Sequence, residues 1–213
     1  MLLSELTALR GVSGCEDEVR AALRKEAERI LGGRGRVFTD TIGNLYACRD
    51  AREPGKKRAM VCAHMDEVGF IIRFATEDGL LRFDCVGGVD PRVIASRRVL
   101  VGENRVPGVI GFKAVHLMSD EEMKKAPDYS ALSIDIGVST KEEAERLCPP
   151  GSYATFDTAF MELGDGFVMS KALDDRVGCF VLLRVLSESD YPGELCCVFT
   201  VQEEVDLRGA GGV

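Results

Sequence analysis

Ala59-Met60-Val61-Cys62-Ala63-His64-Met65-Asp66-Glu67 is the stretch on which the fold turns. A continuous apolar run that ends abruptly in polar residues reads as a strand buried on both faces, opening into a loop. The same grammar recurs in Leu195-Cys196-Cys197-Val198-Phe199-Thr200-Val201, which runs into Gln202-Glu203-Glu204. Between the two, Lys171-Ala172-Leu173-Asp174-Asp175-Arg176 introduces an apolar-rich helix over Val177 to Ser187. In open α/β sheets ligands bind beyond the carboxyl ends of the strands. Two strand ends and one helix start therefore direct a histidine and several carboxylates to one edge of a sheet.

Working outward, Leu2 to Arg10 has helical spacing and Gly11-Val12-Ser13-Gly14 breaks it. A second helix is expected from about Glu16 to Leu31, with Ser13 or a neighbour as its cap and acidic residues in its first turn. Arg36 to Cys48 reads as two strands around Thr41-Ile42-Gly43-Asn44. From about Phe70 to Glu162 the texture changes to short runs rich in Val, Ile and Gly, separated by turn residues. That pattern predicts a small β-barrel inserted into the α/β domain. Two capped helices interrupt it, over Ser119 to Lys125 and Ser139 to Leu147.

The 213 residues are enough for one large domain or two modest ones, and 46% hydrophobic with 29% charged residues is ordinary for a globular chain. A net charge of −8 argues against nucleic acid as a partner. Lys56-Lys57-Arg58 and Arg97-Arg98 are short and lie beside turns, where solvated loop charge explains them. No apolar stretch is long enough to cross a bilayer, and no signal peptide is expected from Met1-Leu2-Leu3-Ser4-Glu5-Leu6. The eight cysteines form no CxxC pair; free thiols in a reducing cytoplasm are expected, with Cys196 and Cys197 on opposite faces of a strand.

Each acidic motif has an ordinary explanation when taken alone. His64 and Asp66 are a polar pair at a strand end, Asp174 and Asp175 sit where carboxylates cap helices, and Glu203 and Glu204 resemble exposed loop glutamates. Taken together they supply a two-metal hydrolytic site. A carboxylate can bridge cations about 3.5–4 Å apart, and of two consecutive glutamates pointing apart, one can bind metal while the other accepts a proton from water.

Ala63-His64-Met65-Asp66-Glu67-Val68-Gly69, Lys171 to Arg176, and Val201-Gln202-Glu203-Glu204-Val205 with Leu207-Arg208-Gly209-Ala210 resemble the M42 family of co-catalytic metallo-aminopeptidases. Gly11 to Gly14, His116-Leu117, Ile134 to Val138 and Phe156-Asp157 extend the resemblance over essentially the whole chain. It implies an α/β, three-layer metallopeptidase domain (residues 1–69 and 163–213, incomplete at its C-terminus) and an inserted β-barrel-like dimerisation domain (70–162). It also implies two divalent ions, zinc or cobalt, a peptide substrate and assembly into homo-oligomers. His64 and Glu204 would each bind one metal, Asp174 would bridge both, Glu203 would be the general base and Asp66 would support His64. Asp175 is not carried over as a ligand, and His116 is expected to be structural or interfacial. Asp206 departs from the family, which usually has Gly there. A further aspartate and a second histidine ligand are expected beyond Val213, so weak metal binding is expected of this chain. An assembly module lacking catalysis, acting through the insert, is the alternative. A co-catalytic amino-acid deacylase is a third reading, and would carry an insert of helices against a sheet.

Overall fold

The computed structural model describes residues 1–113, 116, 118, 119, 124 and 128–213. Along the chain, α1 spans Leu3–Ala8, α2 Asp17–Leu31, β1 Gly35–Thr39, β2 Leu45–Arg49, β3 Ala59–His64, β4 Gly69–Ala75 and β5 Leu81–Val86. There follow α3 at Pro91–Ile94, β6 at Arg98–Val101, β7 at Val106–Gly111, β8 at Ser133–Asp135, α4 at Lys141–Leu147 and β9 at Tyr153–Phe156. The remainder is β10 at Met161–Leu163, β11 at Phe167–Met169, α5 at Leu173–Glu188 and β12 at Leu195–Thr200. The expected helix over Ser119 to Lys125 falls largely outside the described residues. The chain separates into two compact units, Met1–Glu67 with Ala159–Val213, and Val68–Thr158.

The first unit is built on a four-stranded sheet in the order β1-β2-β12-β3. β1 and β2 form the expected antiparallel hairpin, β12 runs antiparallel to β2, and β3 runs parallel to β12. Strand alternation divides the sheet into two faces. Leu45, Ala47, Ala63, Cys197, Phe199 and Val201 share a core with Leu6 of α1, Leu23 and Ala27 of α2, and Cys179 and Leu183 of α5. α2 qualifies for this role because Val19, Leu23, Ala27 and Leu31 recur every four residues and so form one buried stripe. It stops at Gly32, whose φ of 53° is the left-handed geometry of a helix end. The opposite face carries Cys48, Cys196 and Val198, with Tyr46 packed against them. Cys196 and Cys197 do face opposite ways.

Two expectations are corrected here. Among the described residues β3 lies at the edge of the sheet and is not buried on both faces: Met60 is 47% and Val61 41% exposed, whereas every residue of β12 is buried. An apolar run records that a strand suits a sheet interior, and it carries no information on whether a neighbour lies on each side. The cysteines are not all free thiols either. Cys48 and Cys196 stand directly opposite each other in the antiparallel register and are joined as a disulfide.

The second unit is a closed barrel in the order β4-β5-β8-β7-β6-β9. Phe70, Ile72, Leu81, Val99, Val101, Ile110, Ile134 and Ala154 fill it. Alternate residues of short strands point inward, as the Val/Ile-rich texture predicts. Thr140 caps α4 by accepting from the Glu143 N–H. An insert of helices against a sheet, the pattern attached to the deacylase reading, is not what these residues form.

Candidate metal centre

The parallel pair β3 and β12 ends with His64 opposite Thr200. Beyond that point each strand turns away, and the turns are held by specific contacts. After β3, the Met65 N–H donates to Thr200 O, and the Glu67 N–H donates to Gly11 O. Gly11 is required by close approach, since a Cβ there would lie 2.5 Å from the Arg176 guanidinium and 2.7 Å from Val19. After β12, the Val201 N–H donates to the Asn44 side-chain oxygen, Asn44 Nδ2 donates to Gly209 O, and the Gly209 N–H returns to Val201 O. The loop between carries Gln202, Asp206 and Leu207 at φ of 53°, 69° and 54°. Asp tolerates this left-handed region better than most residues, which suits Asp206 to its place in the turn.

Asp66 is the hub of the site. It is fully buried, and its carboxylate accepts from Ser13 Oγ at 2.5 Å and from the Glu203 and Glu204 N–H groups at 3.1 Å each. His64 Nδ1 lies 3.4 Å from Asp66 Oδ1 and 3.2 Å from the Asp66 carbonyl. With that nitrogen occupied, Nε2 faces Asp174 Oδ1 at 3.1 Å and Glu203 Oε2 at 3.8 Å. One donor atom from each of His64, Glu203 and Glu204 falls within 4.8 Å of the others. The expectation that Glu203 and Glu204 point apart is therefore corrected. The strand stops at Thr200, alternation no longer applies in the turn, and both carboxylates reach the same place.

Asp174 and Asp175 separate cleanly. Both have non-helical φ/ψ at the start of α5, and the peptide between them is cis. Asp174 is an exposed side chain facing His64, while Asp175 caps the helix by accepting from the Gly178 N–H at 3.0 Å. Ser13 does not cap α2, as had been expected; its hydroxyl is taken by Asp66, and α2 has no side-chain cap. Sequence reading assigned no site role to Ser13 or to Glu16. Glu16 is buried, and its carboxylate accepts from the Gly14 and Gln202 N–H groups, tying the entry loop of α2 to the glutamate turn. The signal was available in Gly11 to Gly14, a Gly-bounded serine beside a helix start, but capping explained it just as well. His116 is exposed and lies outside the His64 group.

Burial works against a charged imidazole at His64, but the hydrogen bond and charge of Asp66, the hydrogen bond of Asp174 and the charge of Glu203 outweigh it and raise it to about 9. Burial likewise opposes ionisation of Asp66, yet the bonds from His64, Ser13 and the two backbone N–H groups hold its carboxyl below the usual range. Burial lifts Glu204; His64 pulls it back, and the charges of Asp66, Glu203 and Asp174 add to the lift. Carboxylates crowded around one imidazole are repelled in the absence of a cation and relieved by one. Cys179, whose thiol donates to His64 O, is kept neutral by burial and stays out of the donor set. One imidazole with several carboxylates suits zinc or another divalent ion of similar character.

Imidazole and carboxylates are gathered at the carboxyl edge of a partly parallel sheet, a donor set that could hold a metal ion. Residues 43–213 match the family described as M42 glutamyl aminopeptidase, and the chain belongs to that family. A protein of Acetivibrio thermocellus is 40% identical over 210 residues, covering 98% of this chain and 60% of that one. The structure of aminopeptidase APDkam598 from the archaeon Desulfurococcus kamchatkensis superposes with a TM-score of 0.90 at 36% identity, over 99% of this chain and 57% of that one. The TET1 peptidase of Pyrococcus horikoshii, whose structure is described as assembling into a tetrahedron or a large octahedral shell, gives 0.83 at 36% identity over 98% and 62%. The chain thus spans about 60% of the length of these relatives.

Proposed function

We infer that the chain carries the site of a metal-dependent aminopeptidase, which removes N-terminal residues from peptides by attack of an activated water on the first peptide bond. The observation that carries this reading is the gathering of His64, Glu203 and Glu204, with Asp174 beside His64 and Asp66 buried behind it. His64 and Glu204 would hold divalent ions, zinc or cobalt, with Asp174 as a ligand shared between them. The ions, when bound, polarise the scissile carbonyl and acidify water. Glu203 accepts the proton of the attacking water and returns it to the leaving amine. Asp66 fixes the His64 ring so that Nε2 faces the site, the part a carboxylate behind a ligating histidine plays.

Residues 1–69 and 163–213 form the peptidase domain in this reading, and residues 70–162 form an insert through which copies of the chain assemble. The assembled state of the TET1 relative supports homo-oligomerisation. Among the described residues no helix is long and apolar enough to cross a membrane, which is compatible with a cytoplasmic enzyme. The test is Glu203→Gln, assayed on peptides with zinc or cobalt present. Turnover is expected to fall by about 10²–10⁴-fold with metal still bound; a variant as active as the parent would remove Glu203 as the base.

A further inference from the structure

Glu67, Lys171 and Arg176 flank the proposed ligands in sequence but face away from them. Glu67 follows Asp66, Lys171 precedes Asp174 by three positions and Arg176 follows it by two. All three side chains are buried, with relative exposures of 3%, 7% and 0%. Lys171 Nζ donates to both Glu67 oxygens, at 2.8 and 3.0 Å, and to Leu9 O at 2.7 Å. Arg176 Nε donates to Met65 O at 2.8 Å, Nη1 to Leu6 O at 2.7 Å, and Nη2 lies 3.5 Å from Glu67 Oε1. The Gly11 N–H completes the set by donating to Glu67 Oε1 at 3.1 Å.

The connectivity is specific. Met65 and Glu67 lie on either side of Asp66, and Lys171 and Arg176 lie on either side of Asp174. Two cations from the start of α5 thus grip the loop after β3 immediately before and after Asp66. The carbonyls of Leu6 and Leu9 and the N–H of Gly11 keep the assembly from pivoting. A buried ion cluster of this kind is weak as a source of stability, because desolvation consumes most of its Coulomb energy and apolar residues would hold a core as well. What it can supply is a fixed geometry, since every donor nitrogen has an acceptor and small displacements break several charge-assisted bonds together.

We propose that Glu67, Lys171 and Arg176 are positioning residues of the metal centre: a buried clamp that fixes the loop bearing His64 and Asp66 against the α5 start bearing Asp174. They touch neither metal nor substrate. The proposal rests on the metal-centre reading above.

The test is titration with Co²⁺ alone, followed by its visible absorption spectrum, on the unsubstituted chain and on Lys171→Met and Glu67→Gln. Lys171→Met leaves Arg176 to partner Glu67 and is the variant chosen to fold; its secondary structure is checked by circular dichroism. Expected is a loss of Co²⁺ affinity of about 10–100-fold, the range for groups that orient ligands from behind. An altered absorption spectrum should accompany it, at temperatures well below unfolding. A merely structural role predicts a lower melting temperature with affinity and spectrum unchanged, and that result overturns the proposal while the metal reading stands. If a His64→Gln chain binds Co²⁺ as tightly as the unsubstituted chain, however weak that binding is, the metal reading falls and takes the clamp with it.

Discussion

β3 and β12 run parallel and in register from Ala59 opposite Leu195 to His64 opposite Thr200, yet burial is reversed between their bodies and their ends. The body of β3 is an exposed edge, while the residues just past it, Met65, Asp66 and Glu67, are buried. The body of β12 is buried throughout, while Glu203 and Glu204 just past it are partly exposed. The difference teaches that the two strands do different work. β12 holds the sheet against its helices, and the loop after β3 holds the chemistry in place. An edge strand can do the latter because its terminal residues are anchored from behind, by Ser13, Gly11 and the start of α5, rather than by sheet neighbours.

The comparison is tested most severely by Phe199→Ala in β12 against Met60→Ala in β3. Phe199 is fully buried in the helix-facing core, so its truncation should cost about 3–5 kcal/mol in urea unfolding. Met60 stands 47% exposed, and its truncation should cost well under ~1 kcal/mol. Equal costs would break the distinction between the strands.

Asp66→Ala probes the ends instead. It leaves the Ser13 hydroxyl and two backbone N–H groups without their acceptor, so a loss of about 2–4 kcal/mol is expected. Zinc affinity measured by calorimetry should fall about 10–100-fold with it. A variant that lost stability but kept zinc affinity would show that the end of β3 is structural only.

His64 gives the comparison a pH axis. Its folded value is raised to about 9 from 6.5, so the metal-free chain binds this proton more tightly than the unfolded chain does. That stability is fully present below 6.5 and is lost as pH rises through about 9. The melting temperature of the metal-free chain should accordingly fall across that window. Metal binding requires the neutral imidazole, so zinc affinity should rise over the same range and protons should be released on binding. A His64→Gln chain with the same pH dependence would locate the effect elsewhere.

The smallest effect is expected at Asp206→Gly. Removing a side chain from φ 69° should relieve about 1 kcal/mol of backbone strain, partly offset by the greater freedom of glycine in the unfolded chain. A small gain in melting temperature would mark the glutamate turn as strained but well held; a loss would assign the Asp206 side chain a contact of its own.

Much of this was legible in the sequence. Period-2 and period-3.6 patterns are local, and so the hairpin at Thr41 to Asn44, α2, the inserted barrel and the strands preceding His64 and Glu203 could be read from them. The identities of the acidic motifs, and their place at element ends, likewise pointed to the site without coordinates. Tertiary structure decided the rest because it depends on which segments become neighbours. It made β3 an edge, set Cys48 against Cys196, gave Ser13 to Asp66 instead of to α2, and turned both Glu203 and Glu204 toward His64. A sequence states what each residue can bond to; only the folded chain, by bringing distant residues within hydrogen-bond reach, selects the partner.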